Sequence, residues 1–480
     1  MTDSQQVYLL IFLLYLSAMI MVSWLASRWQ RSNCDYLLAG RKVPLMLTLG
    51  TTVATMVGTG SSMGAVGFAY QHGWAGTLYG IGGALGILLL AWLFAPVRAE
   101  RFATMSEELA SYVGNHQVVK KLLAILIYAS SVGWLGAHLI GGGMYLAWLT
   151  GLDEPSAKLI IGLGLAVYVT LGGYSAVVWT DAIQAVILFS GFLLMTYFVV
   201  EVVGGWQTLT SASVAAGAGL FSYQNIGLLP AISMALAVLV GVLATPSFRQ
   251  RIYSAKSISS IRTSFIISGL LYLGFSCIPA VIGIGAYAVN SSLDNPSFAF
   301  PYLALTAMPV LIGGFILLAG ISATLSSASS DAIAGVSVLV ADIYLTWCKG
   351  NIAPHNPLLV SRIAMLTTVS LALFMAVLSS DIISYITKMI SVVLAGLCVM
   401  GLLGRFWQGY TWQGSLVTLM AGSVAALLVG MNDDWLAYFG NPIIPALISA
   451  LVFGVLTSVV TKPSVTASSE KTEVTSWKAQ

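Results

Sequence analysis

Thr48-Leu49-Gly50-Thr51-Thr52-Val53-Ala54-Thr55-Met56-Val57-Gly58-Thr59-Gly60-Ser61-Ser62 lies inside a run without a charged residue from Val43 to Val97. Such a run is long enough for two crossings of a bilayer. Yet ten of these fifteen residues are glycine or carry a hydroxyl. A helix that only has to sit in lipid is better served by Leu, Ile and Val. One seeded with Gly and Thr can unwind locally, and freed carbonyls at membrane depth are tolerated only where they line a cavity or meet an ion. The stretch reads as part of a transport site rather than as an anchor.

Working outward, 480 residues with 58% hydrophobic and 8% charged content make an all-α, polytopic membrane protein. With about 20 apolar residues per crossing, the chain offers about thirteen transmembrane helices: 7–27, 44–70, 74–97, 122–149, 157–176, 181–203, 228–247, 264–289, 309–330, 359–379, 382–403, 412–431 and 443–460. The ninth is expected to continue towards Tyr344. Under this assignment eighteen of twenty Lys and Arg residues fall on one side, and only Lys158 and Lys388 opposite. The positive-inside rule then places the N-terminus outside and the C-terminus in the cytosol.

The membrane domain covers residues 1–462 and a polar, disordered cytosolic tail covers 463–480. No basic n-region precedes the first span, so it is not read as a cleavable signal. Cys34, Cys277, Cys348 and Cys398 form no disulfide framework. The net charge of +3 is a topology signal and implies no nucleic-acid partner. The partners expected are the lipid bilayer and a small solute; the sequence assigns no oligomeric state.

A second polar segment mirrors the first: residues 319–330 read Ala-Gly-Ile-Ser-Ala-Thr-Leu-Ser-Ser-Ala-Ser-Ser, with six hydroxyls in twelve residues. Gly320, Thr324, Ser327 and Asp331 fall on one helical stripe. Hydroxyls and carbonyls suit a small hard cation, although small residues also serve close helix packing. Asp181 stands where an apolar span opens, with Gln184 one turn on. An intramembrane acid is a functional hypothesis by default; the alternative is a carboxylate favoured by a helix N-terminus. His138 shares a face with Trp134 and precedes Gly141-Gly142-Gly143, which leaves room for a solute, although a membrane histidine can simply bridge helices. Lys388 is expected to snorkel to the outer interface, and Asp331 to approach the cytosolic end of its span.

No phosphate loop, Cys-x-x-Cys or His-Glu-x-x-His occurs, and Asp433-Asp434 is an isolated pair. Nothing points to an enzyme.

Tyr36-Leu37-Leu38-Ala39-Gly40-Arg41, Leu171-Gly172-Gly173-Tyr174-Ser175-Ala176-Val177-Val178-Trp179-Thr180-Asp181-Ala182-Ile183-Gln184, Arg249-Gln250-Arg251 with Ala255-Lys256, and Asp342-Ile343-Tyr344 together resemble the sodium:solute symporter family, relatives of bacterial proline, pantothenate and galactose carriers. The resemblance implies a LeuT-type core of five-plus-five inverted repeats, approximately 44–203 and 228–404, with the site at their interface. It implies a shared sodium site made by carbonyls of Ala54 and Val57 in a broken second span with one carbonyl and two adjacent hydroxyl positions of the ninth, Gly320, Ala323 and Thr324. Ala323 departs from the pattern, since relatives carry serine there. A second cation or proton site matches Asp181, Ser326 and Ser327, and the solute positions fall near Gly58, Ser61, Trp134 and His138. The expected function is sodium-coupled symport of a small organic solute into the cell, across the plasma (inner) membrane, by alternating access. Proton coupling on the same fold, encouraged by Ala323, and a solute-binding transceptor or sensor are the alternatives.

Overall fold

The computed structural model describes residues 3–28, 30, 32–215, 226–344, 356–378 and 390–461. The expected tail, Cys348, Lys388 and residues 382–389 of the eleventh span lie outside them. Every regular element among the described residues is helical. The long and core-lining helices are α1 (Asp3–Ser27), α2 (Leu45–Met56), α3 (Ala65–His72), α4 (Thr77–Leu93), α5 (Gln117–Thr150), α6 (Glu154–Val202), α7 (Leu228–Ala244) and α8 (Pro246–Ser254). They continue as α9 (Ile258–Phe275), α10 (Cys277–Val289), α11 (Val310–Val338), α12 (Pro357–Val377), α13 (Ala395–Phe406), α14 (Trp412–Gly430) and α15 (Ile443–Val460).

Among the described residues, nine helical segments are long and apolar enough to cross a membrane, or ten if the bent pair α7–α8 counts as one span. The expected count of about thirteen differs because some segments hold two crossings. α6 has 49 residues, which at 1.5 Å per residue is about 73 Å, more than twice a hydrocarbon core of about 30 Å. Gly173, at φ 49° and ψ −152°, divides it into 154–172 and 174–202. A Cβ on Gly173 would stand 2.6 Å from the Tyr36 carbonyl oxygen, so only glycine fits both the backbone conformation and the close approach. Likewise α3 and α4 form one apolar run joined by the turn Gly73–Gly76. The ninth span does continue, through a wider helical turn at Leu339–Tyr344.

α11 is the central helix. All residues from 316 to 338 are buried, so its hydroxyls face protein on every side and lie close to α2, α5 and α6. The exposed apolar residues sit on peripheral helices such as α1, α12 and α15, for example Leu14, Phe374 and Val460.

One element was misread in the sequence. Residues 248–254, assigned to a cytosolic loop, form most of α8, which meets α7 at 41° and is buried along its whole length. Pro246 restarts the helix at its first turn, where a missing N–H costs nothing. Arg249 and Arg251 are therefore interior charges. Arg249 pairs with the fully buried Glu108 at 2.8 Å and lies 3.4 Å above the Phe94 ring. Residues just before α2 bond those just after α8, through Val43 N–H to Ser254 O at 3.2 Å and Lys256 N–H to Val43 O at 3.0 Å.

Candidate functional site

α2 ends at Met56, and Val57 takes φ −96°, ψ 73°; the chain resumes helical geometry at Thr59 and enters a wide turn at Gly60–Gly64. Such a break strands the carbonyls of the last turn, and each stranded group needs a partner. Ser326 Oγ donates to Ala54 O at 3.0 Å, and Ser327 Oγ donates to Thr55 O at 3.1 Å. Ser61 Oγ donates to Met56 O at 3.1 Å. On the donor side, Thr59 N–H turns to His138 Nδ1 at 3.4 Å. The broken helix is thus sewn to α11 and α5 by side chains from both hydroxyl-rich segments.

The expected sodium ligands separate into two groups. Ala54 and Ala323 come together, because Ser326 Oγ reaches both Ala54 O and Ala323 O, the latter at 3.2 Å. Ser327 Oγ also lies 3.3 Å from Ala323 O. Thr324 instead donates to Ile321 O at 2.8 Å and sits against Gly142 of α5. Gly320 backs onto the Tyr145 ring. The hydroxyls that reach the carbonyls at the break, from Ser326 and Ser327, lie about one helical turn further along α11 than Ala323 and Thr324, the pair implied by the family resemblance.

Asp181 does not open a helix; it lies inside the second half of α6 with no solvent exposure. It accepts from Thr51 Oγ1 at 2.5 Å, Ser330 Oγ at 3.0 Å and Ser329 Oγ at 3.2 Å. Ser326 and Ser327, expected beside it, are turned to α2. Arg251 Nη2 stands 3.6 Å from Asp181 Oδ2 and donates to Thr51 Oγ1, Thr51 O and Ser330 Oγ at 2.8, 3.0 and 2.8 Å. Gln184 faces α1 and donates to Tyr15 OH at 2.6 Å.

Gly58, Ser61, Trp134 and His138 line one cavity, together with Tyr79 and Tyr272. A Cβ on Gly58 would come within 2.7 Å of His138 Cε1 and 2.8 Å of Ser327 Oγ, so this glycine lies between the cavity and the serines of α11. Asp331, expected near a span end, is buried on the same wall and pairs with His138 Nε2 at 3.3 Å. Sequence reading missed Arg251, Thr51, Ser329 and Ser330 around Asp181. Its usable signals were Pro246 as a helix restart and the hydroxyls next to those already chosen.

Residues 36–422 match the family model described as Sodium:solute symporter family. The chain is 27% identical over 476 residues to a sodium/glucose cotransporter of Vibrio parahaemolyticus, covering 88% of this chain and 84% of the relative. It is 24% identical over 462 residues to the uncharacterized symporter YwcA of Bacillus subtilis (strain 168), covering 91% and 89%. Among solved structures, a substrate-bound, outward-open Na+-coupled sialic acid symporter superposes with TM-score 0.80 at 20% identity, covering 98% of this chain and 100% of that one. Mhp1, a nucleobase-cation-symport-1 family transporter, gives TM-score 0.61 at 14% identity, covering 90% and 96%. The fold is LeuT-type.

Proposed function

The chain belongs to the sodium:solute symporter family, and on that premise we propose where its two cargoes bind. It is a multi-pass membrane protein and a secondary transporter that couples a small solute to sodium by alternating access. The proposed sodium ligands are Ala54 O, Val57 O, Ala323 O, Ser326 Oγ and Ser327 Oγ. What carries this reading is Ser326, whose hydroxyl bridges Ala54 O and Ala323 O at 3.0 and 3.2 Å. Hard neutral oxygens of this kind suit an alkali cation. The set also keeps the pattern of two carbonyls from a broken helix with one carbonyl and two adjacent hydroxyls from α11. The departure noted at Ala323 then disappears, since Ala323 contributes its backbone.

The solute occupies the neighbouring cavity at Gly58, Ser61, Trp134 and His138. Because Gly58 separates the two, sodium bound at the break holds α2 against α11 and shapes the cavity wall. Each cargo then binds better in the other's presence, as coupling requires. With the N-terminus outside and the C-terminus cytosolic in the plasma membrane, inward movement is driven by the sodium gradient and the potential. One charge across 100 mV supplies about 2.3 kcal/mol.

Asp181 serves a different purpose in this reading: Arg251 is its resident cation, and a second ion or a proton acts there only when Arg251 moves away. The test is uptake into proteoliposomes under imposed gradients. Uptake should follow sodium and persist when the proton gradient is collapsed. Uptake that ignores sodium and follows protons would overturn the assignment.

A further inference from the structure

The cavity holds a carboxyl group that the sodium assignment does not use. No Lys or Arg is among its described lining residues, and Asp331 is their sole carboxylate. His138 is its neighbour, with Nε2 3.3 Å from Asp331 Oδ2. On its other side the ring is held by Thr59, whose backbone N and Oγ1 lie 3.4 and 3.0 Å from Nδ1. Arg251, which reaches the adjacent Ser330, is paired with Asp181. Asp331 is thus a buried carboxylate on a lining without Lys or Arg, where a cationic group of the ligand would complement it.

The other walls indicate which kind of cation. Trp134, Tyr79, Phe248 and Tyr272 line the same cavity, and Trp134 stacks over His138 with ring centroids 6.0 Å apart. Aromatic faces beside a carboxylate favour a soft, weakly hydrated ammonium group, whereas sodium prefers a shell of hard oxygens. Two buried polar atoms on the lining, Trp134 Nε1 and Ser247 Oγ, have no hydrogen-bond partner. Indole N–H is a donor only, so an oxygen acceptor on the ligand would satisfy it.

We propose that the solute is a small organic ammonium compound with an oxygen acceptor, an amino alcohol or a zwitterion. Its cationic head lies against Asp331 and its oxygen faces Trp134 Nε1 and Ser247. The inference rests on the solute cavity proposed above but not on the sodium ligands.

The experiment measures thermal stability of the purified full-length protein in sodium and in potassium. The probes are choline, ethanolamine and glycine betaine, set against carbon isosteres such as dimethylbutanol for choline and dimethylbutanoate for glycine betaine. At least one ammonium probe should stabilise the protein in sodium, and its isostere should not. Asp331→Asn should weaken that probe about tenfold or more and Trp134→Phe severalfold. Both variants should keep the stabilisation by sodium alone, which reports that they fold. Equal stabilisation by the isosteres, or none by any ammonium probe, overturns the proposal. Loss of the sodium-only shift in Asp331→Asn also overturns it, by making Asp331 an ion ligand. A wild-type protein indifferent to sodium would instead refute the ion site and leave the ammonium comparison readable in potassium.

Discussion

Ser326 Oγ lies 3.0 Å from the carbonyl oxygen of Ala54, 272 positions earlier in the chain, and Ser327 Oγ reaches Thr55 O across the same separation. Two consecutive hydroxyls of a continuous helix thus answer two consecutive carbonyls of a broken one. The break creates acceptors that lipid cannot satisfy, and α11 supplies the donors. A cation arriving here would exchange these hydrogen bonds for coordination, at the junction where the two helices meet.

Ser326→Ala and Ser327→Ala should each raise the sodium concentration for half-maximal uptake about tenfold, the effect of losing about 1.4 kcal/mol of oxygen coordination. Thr324→Ala should change it less than about threefold, because Thr324 is turned to Gly142. Sodium titration of uptake distinguishes the two turns of α11; the reverse ranking would restore the register first read from the sequence.

Asp181→Asn removes the counter-charge of a fully buried guanidinium. Breaking one side of a buried pair costs about 3–5 kcal/mol, so the variant should melt lower and transport poorly while still binding solute. Adding Arg251→Gln should recover part of the stability, giving a coupling energy in a double-mutant cycle. Additive losses would show that the two residues do not act as a pair.

Glu108→Gln should destabilise the end of the bundle at α8 by a similar amount. Glu108 receives Arg249 at 2.8 Å, Tyr112 OH at 2.9 Å and Tyr253 OH at 2.5 Å, and all its partners keep their burial when its charge is gone. The measurement is the denaturation midpoint. Residues 43 and 254–256 should then gain hydrogen-exchange rate, since their backbone bonds close the same region.

Gly58→Ala places a methyl group between His138 Cε1 and Ser327 Oγ, at 2.7 and 2.8 Å. Contacts so close force a shift of the neighbours. Because those neighbours belong to both proposed sites, sodium and solute affinities should fall together, each by more than about tenfold. A loss confined to one cargo would argue against a shared wall.

The hydroxyl-dense stretches at 48–62 and 319–330 were legible because membrane helices have little other reason to be so polar. Their register was not. A ligand triplet of a residue with its third and fourth successors fits Gly320, Ala323 and Thr324 as well as Ala323, Ser326 and Ser327, since a helix repeats about every 3.6 residues. The pairing of Ser326 with Ala54 is the contact on which the proposal of the second triplet rests. Arg251 was hidden for a related reason: a basic residue after an apolar span reads as a loop charge, and α8 carries it back inside.

By itself the sequence determined the membrane class, the helical architecture, the placement of the break and the residues rich enough in oxygen to meet an ion. These follow from composition and local periodicity, which act within a few turns. The tertiary structure alone decided that Asp181 faces Arg251, that Asp331 faces His138, and which turn of α11 meets the broken helix. Each of these depends on contacts between residues tens to hundreds of positions apart. Burial then makes the partner of every charge compulsory, and no local pattern says which distant partner that is.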